Sequence, residues 1–264
     1  MKKIFTLLLL ACLWTNQVQA QETLKVDGTG DNMEAVRALA KQFEATHPGT
    51  TVEVPDSIGS GGGIKALQKG KTDLARTGRP LKDTEKADLV EVQFGKTPVV
   101  FATHPTVAAV TNLTTAQILD IYAGKILNWK EVGGPDNQIY ATSREIGDSA
   151  RTLLEASMPG FKDVKFVSKE FFTMAEAVQG IREHEFTIGY VSYSSALGKG
   201  LNVLKVDGKN PVPAADGKVD YPHLVPFYLV HNATPSALAK QFIDFALSAE
   251  GKTILLANGV VAGN

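Results

Sequence analysis

Cysteine is nearly absent from this chain. The 264 residues contain one, Cys12, and it falls within an N-terminal stretch that reads as a removable export signal. The mature chain is therefore expected to have no cysteine, which excludes a disulfide framework. Long apolar runs are missing too. Lys2 and Lys3 make a basic start, Ile4 to Trp14 an apolar core, and Val18-Gln19-Ala20 a small-x-small cleavage site before Gln21. That core is too short to span a membrane, and no later segment approaches the roughly 20 apolar residues a span needs. Export without disulfides suits a periplasmic protein large enough to rely on its own core. Histidine is scarce and scattered (His47, His104, His184, His223, His231), with no H-E-x-x-H or paired spacing, so a zinc site is not expected; no cofactor is expected either. Charge of one sign is lacking as well. Lys and Arg number 27 against 28 Asp and Glu, for a net charge of −1, and no basic tract suggests nucleic acid. Any anionic ligand must then be captured by local geometry, because overall attraction is negligible.

Glycine, in contrast, is concentrated where it matters. Ser57-Ile58-Gly59-Ser60-Gly61-Gly62-Gly63-Ile64-Lys65-Ala66-Leu67 follows a β-prone run, Thr50 to Val54, and leads into a helix patterned by Ile64 and Leu67. Glycines let a ligand approach main-chain N–H groups with no Cβ in the way. The first N–H groups of a helix are unpaired and carry the positive end of its dipole. Strand, Ser/Gly loop and helix start together make an anion site, with Ser60 as a helix cap or a donor. Lys65 sits too close behind the glycines for a nucleotide P-loop. An ordinary strand-to-helix turn with a serine cap is the plainer alternative.

The first 80 or so mature residues repeat one unit. Thr23 to Val26 reads as a strand, Asp27-Gly28-Thr29-Gly30-Asp31-Asn32 as a polar loop, and Met33, Val36, Leu39, Ala40 and Phe43 as one face of a helix running to about Thr46. Thr50 to Val54 and the glycine stretch, with a helix to about Lys69, form the second unit. Thr72 to Ala75, the loop Arg76-Thr77-Gly78-Arg79-Pro80-Leu81 and a short helix from Asp83 form the third. A parallel sheet follows, with three loops gathered on one rim. Val92 to Thr103 is a long strand-like run, and Leu113 to Tyr122 a capped amphipathic helix. Ile139 to Thr142 leads into a fourth polar loop, Ser143 to Arg151. Strands at Val164 to Val167 and Thr187 to Val191, with a helix at Met174 to Arg182 between them, complete a second half of like design. Leu224 to Val230 is a strand, and Ser236 to Leu247 and Glu250 to Ala257 are helices that return to the first half. Two α/β lobes with two crossings make a hinged cleft: residues 21–98 with 224–264 form lobe I, and 99–223 lobe II.

The pattern resembles the phosphate-binding proteins of bacterial ABC importers, within the type II periplasmic binding proteins. Four stretches carry the resemblance: Gly59 to Leu67, Thr77-Gly78-Arg79-Pro80-Leu81, Asn128-Trp129-Lys130-Glu131-Val132-Gly133-Gly134-Pro135-Asp136, and Ser143-Arg144-Glu145 with Gly147. It implies a two-lobed α/β fold in which each lobe is a mostly parallel sheet flanked by helices. It also implies a cleft that buries a tetrahedral oxyanion, inorganic phosphate foremost, and a monomer that hands its cargo to an ABC transporter permease in the inner membrane. By the same resemblance Thr29 and Gly30 are first-loop contacts, Ser60 and Gly61 second-loop contacts, Thr77 a third-loop hydroxyl donor and Arg144 the anion-binding arginine, whose planar fork suits two anion oxygens. Ser149 with Arg144 would close the second side.

Two departures stand out. Gly78 occupies the position where well-studied relatives often place an aspartate that accepts a proton from hydrogen phosphate, which weakens selectivity against sulfate. Asp148-Ser149-Ala150 replaces the usual Ser-Gly-Thr, so a carboxylate enters at Asp148. Three readings of Asp148 stand: a helix cap facing away from the anion, a replacement acceptor, or an ion-pair partner of Arg144. Arg76 is also unusual, a base at a strand end that reads as reaching solvent or the ligand. Phe171, Phe172, Tyr190 and Tyr193 read as packing of the second lobe, and Trp129 as scaffold. An enzyme is not expected. Ser60 lacks a G-x-S-x-G elbow, and Glu145 and Asp148 near a helix start read as dipole partners. A sensing or interaction protein of the same fold, with weakened ligand binding or another oxyanion such as sulfate or molybdate, is the competing expectation.

Overall fold

The computed structural model describes residues 21–263; the expected export signal and Cys12 lie outside the described residues. The first half alternates strand and helix: β1 (Glu22–Gly28), α1 (Met33–Thr46), β2 (Thr50–Glu53), α2 (Gly59–Gln68) and β3 (Leu74–Thr77). A long strand, β4 (Leu89–Thr103), then leads through β5 (Asn112–Leu113) and α3 (Thr115–Tyr122) to β6 (Tyr140–Arg144), α4 (Ser149–Ser157), β7 (Lys169–Phe171), α5 (Met174–Glu183) and β8 (Thr187–Ser192). After α6 (Tyr193–Ala196), β9 (Asn202–Val203) and β10 (Lys205–Val206), the chain closes with β11 (Leu224–Asn232), α7 (Ala237–Leu247), α8 (Ala249–Ala257) and β12 (Val261–Ala262). No helix among the described residues is long and apolar enough to cross a membrane.

The strands lie in the order β2-β1-β3-β11-β4-β8-β6-β7. Neighbours are parallel within β2-β1-β3 and within β8-β6-β7, whereas β11 and β4 run antiparallel to what they join. The sheet is mixed at its centre for a simple reason. β4 is long enough to serve both halves: Leu89–Pro98 pairs with β11, and Val99–Thr103 with β8. Where it changes partners, the Val99 N–H donates to the His223 carbonyl (2.8 Å), tying the outgoing strand to the returning one.

Each half has its own aromatic packing. Phe43 meets Phe242 edge-on at 5.3 Å in the first, and Phe101, Tyr122, Phe161 and Tyr190 pack at about 6 Å in the second. Trp129 is fully buried and donates Nε1–H to the Phe186 carbonyl, as scaffold should. The expected strand at Val164 to Val167 is not one. Those residues run irregularly after a turn of 3-10 helix, and the strand comes later, at Lys169–Phe171. Phe166 packs on Phe161 (5.2 Å) and Val167 donates to the Tyr122 carbonyl, so this apolar run covers a helix instead of joining the sheet.

Arg76 reaches neither solvent nor the cleft. Its side chain is fully buried behind the loops, where Nε donates to the Thr29 carbonyl (3.0 Å), Nη1 to Val26 (2.6 Å) and Nη2 to Pro55 (2.8 Å). Burial lowers its pKa to about 10, which leaves it charged at neutral pH. One guanidinium thus pins the ends of β1 and β2 and the start of the first loop. Gly63 completes the arrangement: a Cβ there would stand 2.7 Å from Gly28 Cα, so only glycine lets α2 lie this close to β1. Arg76→Met keeps much of the bulk but leaves three carbonyls short of donors, and we expect it to destabilise the protein by about 3 kcal/mol. Urea unfolding measures this; a change below about 0.5 kcal/mol would contradict the role given to Arg76.

Candidate functional site

The loop ends of both halves enclose a polar cavity of about 220 Å³. Thr29, Gly30 and Asp31 line it from the loop after β1, and residues 57–62 from the start of α2. Arg144, Glu145, Gly147, Asp148 and Ser149 line it from the β6–α4 connection, with Phe172 and Met174 beside them. The walls touch: Ser60 Oγ and Ser149 Oγ are 3.2 Å apart, and both are buried.

The glycine stretch does not precede the helix; it is the helix. α2 begins at Gly59, and Ile58 at its N-cap offers no capping side chain. Ser60 therefore lies in the first turn and caps nothing. Its Oγ accepts from the Gly78 N–H (3.1 Å) and meets Ser149. The N–H groups of Ser60 and Gly61 have no carbonyl one turn back to bond, and they stand on the cavity wall where the helix dipole is positive. The opposing helix behaves differently. Asp148 caps α4 through Oδ1, which accepts from the Arg151 N–H (3.0 Å), and the N–H groups of Ser149 and Ala150 also point to its carboxylate. One helix start is open to a ligand; the other is satisfied by its own chain.

Arg144 is the only cation among the residues lining the cavity, and most of its donors are committed. Nη2 lies 2.9 Å from Asp148 Oδ2 and 3.2 Å from Glu145, and donates to the Phe172 carbonyl; Nε donates to Glu145 and to the Phe171 carbonyl. Nη1 is buried with no hydrogen-bond partner among the described residues. Asp148 thus does two things at once. It caps α4 and pairs with Arg144, so the reading in which it faces away from the site fails. Burial pushes its carboxyl above the usual carboxylate range, while Arg144 and three N–H donors work against that. Burial also raises Glu145, which remains partly open to solvent at the rim.

Asp31 is the residue that sequence reasoning missed. It lies within the first polar loop, between Gly30 and Asn32, where no local pattern sets it apart. Here it is 2 % exposed. Oδ2 accepts from the Thr29 hydroxyl (2.6 Å), and Oδ1 has no partner among the described residues. Burial, with the like charge of Asp148 adding to it, pushes this carboxyl up to about 7.

The cavity brings together Thr29, Gly30, Ser60, Gly61, Arg144, Asp148 and Ser149. Thr77 and Gly78 lie outside it. The Thr77 side chain is fully buried and its hydroxyl donates to the Arg79 carbonyl, closing its own loop. At Gly78 a Cβ would stand 2.7 Å from Ser149 Oγ, so the contact between the two walls admits no side chain there. Thr29 also differs from expectation: its N–H bonds the Arg76 carbonyl and its hydroxyl is given to Asp31. Of the four aromatics read as packing, Phe172 does otherwise, standing largely exposed at the cavity edge.

A polar cavity closed between two sheet halves, lined by one helix N-terminus and one arginine, defines a two-lobed solute-binding protein. Residues 15–250 match the sequence model of a family described as a PBP superfamily domain, and the chain belongs to that superfamily. Its fold is the type II periplasmic binding protein fold. It is similar to a crystal structure of a "Putative Phosphate ABC Transporter Substrate-Binding Protein with Bound Phosphate" from Clostridium perfringens (30% identity, 92% of this chain and 100% of that one, TM-score 0.82). It is also similar to an ABC-type phosphate transport receptor from Vibrio cholerae (25% identity, 91% and 100% coverage, TM-score 0.66). Among curated proteins, it is 24% identical over 248 residues to the phosphate-binding protein PstS of Bacillus subtilis (strain 168), covering 92% of this chain and 81% of that protein.

The raised Asp31 pKa has a consequence for stability. Between the ordinary carboxylate value and about 7, the unfolded chain gives up this proton while the folded chain keeps it. Folding is then linked to proton uptake, so stability falls as pH rises through this window, by at most about 1.4 kcal/mol per unit. We expect the ligand-stripped protein to show a higher denaturant midpoint at pH 5 than at pH 8, and Asp31→Asn to flatten that slope. A midpoint that rises over the same range would contradict the assignment.

Proposed function

We propose that this chain captures a tetrahedral oxyanion, inorganic phosphate foremost, in the cavity between its lobes and delivers it to an ABC importer. The observation that carries this reading is the pairing of an open α2 N-terminus with the buried, unpartnered Nη1 of Arg144 on the facing wall. Neither group has a use in the fold alone, and both are donors suited to anion oxygens. The names of the relatives support the same cargo. The protein acts as a carrier and not as an enzyme, in the periplasm, as a monomer that meets a membrane permease. Residues 21–98 with 224–264 form one lobe and 99–223 the other, hinged where β4 changes partners. An anion bridging the two walls binds the closed arrangement better than the open one and draws the equilibrium to it. With water excluded, each charge-assisted hydrogen bond strengthens.

One observation favours a second reading. The Asp148 carboxylate already rests on Arg144 and on the α4 N-terminus, where a bound anion would gain most. A sensing or interaction subunit with weakened or altered ligand binding follows if that carboxylate competes with the cargo. Calorimetric titration of the stripped mature protein with phosphate, sulfate and molybdate separates the two. Micromolar or tighter binding of one anion is the expected result, and no binding would leave the second reading. Arg144→Ala should weaken binding by at least ~2 kcal/mol, because the anion loses its only cationic partner and Asp148 loses its counter-charge. Unchanged affinity would rule out the site.

A further inference from the structure

Two residues that line opposite walls of the cavity each carry a buried polar atom with no partner among the described residues: Arg144, at Nη1, and Asp31, at Oδ1. The first asks for an acceptor. The second, if ionised, would also be an acceptor, and an anion placed between them would satisfy one and repel the other. Asp31 cannot turn away to relieve this. Its Oδ2 is held by the Thr29 hydroxyl, and its backbone carbonyl accepts from the hydroxyls of Ser192 (3.1 Å) and Ser194 (2.7 Å).

Nor is there a counter-charge to spare. Asp148 pairs with Arg144 at 2.9 Å, Glu145 shares the same guanidinium, and the N-terminus of α4 is turned to Asp148. Arg76, behind the first loop, spends its donors on three carbonyls. The charged groups that bear on Asp31 are therefore Asp148, Arg144 and Glu145, all on the opposite wall, with two of the three negative. A negative Asp31 beside a bound anion would be uncompensated in a closed cavity, a severe electrostatic cost.

Resting on the oxyanion reading above, we propose that the cleft takes up its anion together with a proton held on Asp31, which as a neutral carboxylic acid donates Oδ1–H to an anion oxygen. The proton comes from solvent and returns to it on release. Asp31 holds it in preference to Asp148 because Asp148 has a guanidinium and three N–H donors to stabilise its charge, while Asp31 has one hydroxyl. The pKa of about 7 in the ligand-free cleft is consistent with this, and a bound anion raises it further. The acid that reads the cargo thus sits on the first loop, where it approaches the position of the Cβ that Gly78 lacks, 3.3 Å from Oδ2.

The test is calorimetric titration with inorganic phosphate at about pH 8.5, where free phosphate is a dianion, in two buffers of different ionisation enthalpy. The wild-type protein should take up close to one proton per phosphate bound, and its affinity should fall about tenfold per pH unit above neutrality. In Asp31→Asn, which keeps a donor but cannot titrate, the uptake should disappear and the affinity should become nearly independent of pH. Phosphate binding by the wild-type protein with no proton uptake would overturn the proposal alone, whether or not the variant folds. Uptake that persists in Asp31→Asn would do the same, placing the proton elsewhere. Failure of phosphate to bind at any pH would overturn the oxyanion reading, and this proposal with it.

Discussion

The Arg144 guanidinium is shared among four acceptor groups of its own chain, and the chemistry of the cleft follows from how it is shared. Two carboxylates and two carbonyls take Nε and Nη2, which leaves Nη1 buried with no partner among the described residues. A guanidinium can do this because its five N–H groups point in fixed, separate directions. The sharing also fixes the electrostatic balance. Arg144 and Asp148 cancel in net charge, so the attraction left for an anion comes from oriented N–H and O–H dipoles: the unpartnered Nη1 of Arg144, the α2 N-terminus and the Ser60 and Ser149 hydroxyls. Dipoles of this kind act at short range, and only on a ligand already in place.

That dependence on placement explains how much of the fold serves to hold the loops still. Arg76 joins three carbonyls from two strand ends, and Gly63 lets α2 press against β1. Asp31 is tied through its carbonyl to the last residue of β8 and to α6, so the first loop is referenced to the centre of the sheet and not only to its own half. Two hydroxyls and a glycine meet where the walls touch, at Ser60, Ser149 and Gly78, and bulk at any of them would prop the cavity open.

The repeated strand–loop–helix units and the return of the last strand and helices were legible in the sequence because periodicity and glycine placement are local signals. Ser60, Gly61 and Arg144 are legible from their motifs and Ser149 from its place beside them, although its own triplet departs from the usual one; all four line one cavity. What was not legible depends on direction. Thr77 looks like a donor in sequence, yet its hydroxyl turns back to its own loop; Arg76 looks like a surface or ligand base, yet three carbonyls claim it. Four glycines read as loop in the sequence, whereas in the structure they form the start of α2, where bare backbone has a use. The distinguishing property of Asp31, an acid oxygen sealed from solvent, arises only when two distant loops meet. A sequence gives no measure of that.

The same sealing makes charge, rather than shape, the stricter filter on what enters. A net charge of −1 over the chain provides no long-range pull. Inside the cavity, one arginine faces three acids. If all three acids kept their charge, the cavity would be repulsive to any anion, and closure would be unfavourable with ligand as well as without. If Asp31 is neutral, the Arg144–Asp148 pair is balanced, Glu145 remains partly hydrated at the rim, and the interior is left as a neutral lining of N–H and O–H donors. Such a lining stabilises one negative charge well and a second less well, since each added charge must be met by the same fixed donors with no further cation to draw on.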